Sequence, residues 1–127
     1  MKKIVSVLCM VGIVSALLAG CGSKLNISDE AMSIGEKVIE ITDEYLDKDI
    51  AGDDAKDQID TLYDELDEYV DSEDGSDTET ADGTICTYIM CISTSMLLDY
   101  YDNTEETYDN LLEDRNNLAK KLGLDER

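Results

Sequence analysis

Histidine, tryptophan, phenylalanine and proline are all missing from this chain of 127 residues. Without His the sequence lacks the most frequent general base near neutral pH and the commonest metal ligand, which argues against triad-type catalysis and His-based zinc sites. Its seven aromatic residues are all Tyr. Positive charge is scarce too: ten Lys and Arg stand against 31 Asp and Glu, a formal net charge of -21. Such an excess of one sign keeps a protein soluble and repels nucleic acid and anionic lipid heads, so a cationic partner is favoured. Strong net charge also opposes collapse. Yet apolar residues make up 43% of the chain and recur at helical spacing, which predicts a folded domain.

Cysteine is sparse, with two of the four residues, Cys9 and Cys21, in the first 21 positions. There the basic pair Lys2-Lys3 precedes an apolar run that starts at Ile4 and closes on Leu18-Ala19-Gly20-Cys21. A charged n-region, a short apolar h-region and small residues before a cut describe a secretory signal, too short to span a membrane. The closing residues resemble the lipobox of bacterial lipoproteins, Leu-(Ala/Ser)-(Gly/Ala)-Cys. This resemblance covers residues 1–21 and implies cleavage before Cys21 and diacylglycerol on its sulfur. The mature chain would then be held by acyl chains such as palmitate on the extracytoplasmic face of the cell membrane. Two acyl chains, at about 0.8 kcal/mol per buried methylene, attach lastingly where one is marginal. Gly22 occupies the place where Asp marks inner-membrane retention in Gram-negative members of the class. An uncleaved anchor with Cys21 unmodified is the alternative, and both readings put the rest of the chain at a membrane surface.

Loss of residues 1–20 leaves 107, enough for one small domain, and takes away Lys2 and Lys3, so the formal charge moves from -21 to -23. The remaining thiols, Cys86 and Cys91, lie five residues apart. In a helix that is about 7.5 Å along the axis and about 140° round it, beyond what a disulfide tolerates. Two small buried apolar residues are the expectation, against an intermolecular or redox thiol. Residues 21–27 form the lipidated Cys and a short tether, which extends at most about 20 Å from Gly22 to Ile27. Residues 28–127 are the acidic helical domain.

Ser28 has the character of an N-cap, with Asp29 and Glu30 in the first turn where the helix dipole favours anions. Ala31, Ile34, Val38, Ile41 and Tyr45 then alternate steps of three and four, predicting a core-facing helix that ends near Gly52. Asp53 can cap a second helix with the stripe Ala55, Ile59, Leu62, Leu66 and Tyr69. Ser72 to Gly83 is a polar, acidic loop. Gly83 to Leu98 carries no charge, but Thr and Ser interrupt it, so a buried central helix with Ile85, Ile89, Ile92 and Met96 inward fits better than a membrane span. Its β-branched residues leave a strand as the alternative, which its length opposes. Asn103 and Glu106 have capping-box spacing for a fourth helix, with Tyr108, Leu111, Leu112, Leu118, Ala119 and Leu122 as its stripe, interrupted by Arg115. Lys120, Lys121 and Gly123 signal its end. With no Gly or Pro near Asn103, one long helix is also open. The fold class expected is all-α, a compact antiparallel bundle of three or four amphipathic helices with the third most buried.

One pattern on the second helix has no need of the core. Asp53, Asp57, Asp60, Asp64, Asp67 and Asp71 form a line opposite the apolar stripe. A solvated face accounts for it, yet like charges at i, i+4 cost roughly 0.2–0.5 kcal/mol each in isolated helices. Asp57, Asp60, Asp64, Asp67 and Asp71 are therefore candidates for low-affinity divalent-cation binding or for a basic protein partner. An EF-hand does not fit: aligning Gly75 with its glycine puts Val70 at the first ligand position, and aligning Gly83 puts Thr78 there. No carboxylate pair stands out as an acid and base, and no Ser has a nucleophile elbow, so no enzyme activity, specific metal or cofactor is expected. Tyr100 and Tyr101 read as rings covering the bundle end, with a ligand or protein contact as the sharper alternative. The sequence thus predicts a lipid-anchored, non-catalytic interaction module, with a cation-responsive acidic domain as the second reading.

Overall fold

A computed structural model describes residues 27–72 and 81–127. The expected signal peptide, Cys21, the expected tether before Ile27 and residues 73–80 of the expected loop lie outside the described residues. Four helices follow one another: α1 (Asp29–Leu46), α2 (Gly52–Ser72), α3 (Ala81–Asp102) and α4 (Glu105–Leu122). At about 1.5 Å rise per residue they are about 27 to 33 Å long, and no strand occurs among the described residues.

The helix ends show how local chemistry sets these bounds. Ser28 accepts the Ala31 N–H at 3.1 Å, as its position before two acids predicts. At the far end Gly123 takes φ 74° and donates its N–H to Ala119 and Lys120, behind the cations Lys120 and Lys121. Between these ends, four boundaries differ from expectation, one of them the start of α3, which opens at Ala81 inside the stretch expected to be loop as far as Gly83. α1 stops at Leu46, short of Gly52, because Lys48 enters the left-handed region at φ 64° and turns the chain. Gly52 itself opens α2, so Asp53 lies inside the first turn instead of capping it. α3 and α4 are separate helices. Asn103, at φ 47°, makes the break, a conformation that Asn tolerates better than most residues. The cap falls one residue later, where Thr104 and Thr107 bond each other's backbone N–H reciprocally.

Long-range contacts fix the topology. Ser28 N–H donates to Asp82 at 2.9 Å at one end and the Tyr45 hydroxyl donates to Asp99 at 2.7 Å at the other, so α1 and α3 run side by side in the same direction. Arg115 meets Asp43 and Leu122 lies over Gly35, which sets α4 antiparallel to α1. Ser93 bonds Asp60, and Cys86 lies in the field of Asp67 and Asp71, which sets α2 antiparallel to α3. Consecutive helices pack, α4 closes on α1, and α1 touches α3 across the middle, whereas α2 and α4 do not meet among the described residues. The result is an all-α, antiparallel four-helix bundle.

Its core is drawn from the expected stripes: Ile34 and Val38 of α1, Ile59 and Leu66 of α2, Ile85, Ile89, Ile92 and Met96 of α3, and Leu111, Leu118 and Leu122 of α4 are all buried. Each fully buried aliphatic side chain of this size contributes about 1.5–3 kcal/mol. α3 is not the most enclosed helix, however. α1 buries eight of its 18 residues and α3 seven of its 22. A helix in a ring of four has neighbours on three sides at most, so the lack of charge along α3 does not translate into burial all round.

Candidate functional site

The open side of α3 is the most unusual surface described. Thr87, Met90, Thr94, Leu98 and Tyr101 recur at steps of three, four, four and three, opposite the buried row of Ile85, Ile89, Ile92 and Met96. Met90 is 50% exposed, Leu98 51% and Tyr101 74%. Of the five large apolar side chains exposed among the described residues, four belong to α3, the fourth being Tyr100; Tyr108 of α4 is the other. Thr87 and Thr94 turn their hydroxyls back to donate to the carbonyls of Gly83 and Met90, four residues earlier. Tyr100 and Tyr101 stack edge to face, with ring centroids 5.4 Å apart. Cys91 lies half-buried on the same side, whereas Cys86 is turned inward. Burial, with Asp67, Asp82 and Asp71 nearby, pushes the Cys86 thiol up to about 11.

Acids border this neutral strip on both sides. From α2, Asp60 accepts the Ser93 hydroxyl, and Asp67 and Asp71 lie near Cys86. From α4, Asp114 accepts the Ser95 hydroxyl. Between α3 and α4 a groove of about 270 Å³ is lined by Leu98 with Glu113 and Asp114. A second groove, of about 450 Å³, runs between α1 and α2 past Ile41, Leu62, Glu40 and Glu44.

The structure thus divides the line of aspartates. Asp57, Asp64, Asp67 and Asp71 are exposed, but Asp60 is half-buried and engaged by both Lys56 and Ser93. Burial raises the Asp60 carboxyl, but the hydrogen bonds from Lys56 and Ser93 and the Lys56 charge outweigh it and hold it below its ordinary value. Among the described residues no three Asp, Glu or Cys side chains gather into a group able to hold a metal ion. No family model, curated protein or solved structure matches this chain. The reading of its function therefore rests on the side chains themselves.

Three buried charged residues escaped the sequence reading. Asp82 is 7% exposed and holds the N-terminal end of α1 through Ser28, and Asp99 is 6% exposed and accepts from Tyr45 and from Thr107 at 2.9 Å. Burial first, and then Asp99, raises the Tyr45 hydroxyl well above its ordinary value, so it stays a donor. Arg115 is 6% exposed and forks onto Asp43, Nε to Oδ1 at 2.9 Å and Nη2 to Oδ2 at 2.8 Å, while Nη1 reaches the Asp125 carbonyl at 2.8 Å. Arg127 adds contacts to Asp43 and Asp47. The one visible signal was Arg115 itself, a lone cation in an otherwise apolar stripe. These groups join helix to helix and line neither groove.

Proposed function

We propose that this chain is a bacterial surface lipoprotein, held on the extracytoplasmic face of the membrane through acylated Cys21, whose bundle is a non-catalytic module that docks a protein partner. The observation that carries the docking role is the uncharged, partly apolar outward side of α3 on a chain with a net charge of -21. Solubility alone gives no reason to leave Met90, Leu98 and Tyr101 in water, and exposed apolar side chains rimmed by polar ones mark interaction surfaces. The buried acids Asp82 and Asp99 are satisfied within the bundle, which favours a structural use over catalysis.

Two experiments test the two halves of this reading. Cys21→Ser should abolish incorporation of labelled palmitate and leave the apolar N-terminal segment uncleaved; unchanged labelling would remove the lipid anchor. A photo-crosslinking residue at Leu98 should give a defined adduct in native membranes where one at Asp57 does not, and equal labelling from both would remove the docking face. The second reading, a cation-responsive bundle, draws on the exposed Asp57, Asp64, Asp67 and Asp71 of α2. Melts in calcium, magnesium and sodium at matched ionic strength separate it from screening.

A further inference from the structure

We infer that the occupant of the α3 face is a cationic amphipathic helix, which lays its apolar stripe along Met90, Leu98 and Tyr101 and its basic flanks against the acids of α2 and α4. The inference rests on reading that face as the docking side of the module. Its geometry sets the length: Thr87 to Tyr101 spans about 21 Å, which about 14 helical residues cover. Charge complementarity sets the chemistry. The strip is neutral, but Asp67 and Asp71 lie along one edge, near Cys86, and Glu113 and Asp114 along the other, around Leu98. Apolar contact in the middle and opposite charge at the rim is the pattern by which an amphipathic helix is held in a groove.

The other occupants fit less well. A second copy would bring the same acidic rims together, and like charges across an interface oppose association. An anionic bilayer meets the same repulsion. A cation-bearing helix removes it instead.

The test uses the full chain in a neutral detergent, with Cys91 as its own reporter. Two fluorescent peptides of about 14 residues and identical Leu and Lys composition are compared, one with Leu on a single helical face and one scrambled. Alkylation of Cys91, followed by peptide mass mapping, and fluorescence anisotropy read binding. The amphipathic peptide should slow Cys91 alkylation at least about tenfold at saturation and bind about tenfold more tightly than the scrambled one.

Met90→Glu and Leu98→Glu give the decisive sign. Each adds negative charge and would strengthen plain attraction to a polycation, yet each should weaken the amphipathic peptide by about tenfold because it breaks the apolar strip. Equal binding of both peptides, unchanged or tighter binding by these variants, or no protection of Cys91 overturns the proposal. So does protection of Cys91 without peptide, either as protein concentration rises, which assigns the face to a second copy, or on transfer to nanodiscs, which assigns it to the bilayer. Acylation plays no part in these readouts, so a failed anchor and a failed docking surface are told apart. An adduct from Leu98 in native membranes without peptide binding keeps the docking face and discards the cationic helix.

Discussion

Replacing Asp43 by Asn should destabilise the bundle by about 2 kcal/mol, more than the loss of its partner Arg115. The Arg115 side chain is 8% exposed and Asp43 29%, so the pair is buried on one side only. Breaking a fully buried ion pair costs about 3–5 kcal/mol, and a hydrogen bond to a charged group contributes about 1.5–3 kcal/mol. Water at Asp43 and its unfavourable place in the last turn of α1 bring the loss toward the lower figures. The Asn amide would turn its N–H₂ toward one tine of the guanidinium fork and leave a buried cation without its counter-charge. Arg115→Met instead removes the charge that is hardest to hydrate, fills the stripe between Leu111 and Leu118, and leaves Asp43 beside Arg127 and solvent. It should cost about 1 kcal/mol or less, and the double variant should resemble Arg115→Met alone. Urea unfolding followed by far-ultraviolet circular dichroism measures all three, with Asp43→Asn also lowering the melting midpoint by about 8–12 °C. If Arg115→Met is the more damaging, or if the two losses simply add, the fork does not hold α4 to α1 in the way its geometry indicates.

Two further substitutions probe the edges of the bundle. Ser93→Ala removes one of the donors that hold Asp60 ionised and should cost about 0.5–1 kcal/mol at neutral pH, discounted because Asp60 is part-exposed. Since folding depresses the Asp60 carboxyl, this stabilisation is present above the ordinary carboxylate range and is lost as pH falls through the depressed value. Urea melts across pH 7 to 3 should therefore show the gap to the parent protein closing at the acid end; a gap that stays constant assigns the loss to packing. Gly52→Ala places a Cβ 3.0 Å from Tyr45 Cε2 and closer still to the Tyr100 ring. Tyr45 is held by Asp99, so Tyr100 must swing out, and the variant should lose about 1–2 kcal/mol despite the better helix propensity of Ala. Gly35→Ala meets three side-chain atoms of the buried Leu122, nearest at 2.7 Å, and should lose about 1–2 kcal/mol in the same thermal melt. A Gly52→Ala protein as stable as its parent would mean that the tyrosines do not clamp the start of α2.

The stripes of α1, α2 and α4 were legible because a step of three or four residues fixes which side of a helix a residue occupies, whatever the rest of the chain does. Ser28 and Gly123 were legible for the same local reason. The boundary at Asn103 was misplaced by one residue because Asn serves both as a cap and as a left-handed turn, and only the path of the chain decides between them. Asp43 and Arg115 are 72 residues apart, and no periodicity joins them.

The α3 face was hidden by an inference from composition to burial. Sixteen residues without a charge, from Gly83 to Leu98, suggested enclosure, but a ring of four helices has no central position for any of them to fill. The hydropathy of Ile85, Ile89, Ile92 and Met96 is demanded by the core. That of Met90 and Leu98 is not, since half of each side chain stands in water. A carboxylate at either position would cost the fold little, and this chain places carboxylates freely elsewhere on its surface. On the docking role proposed for this face, Met90→Glu and Leu98→Glu should weaken docking about tenfold while leaving the melting midpoint close to that of the parent.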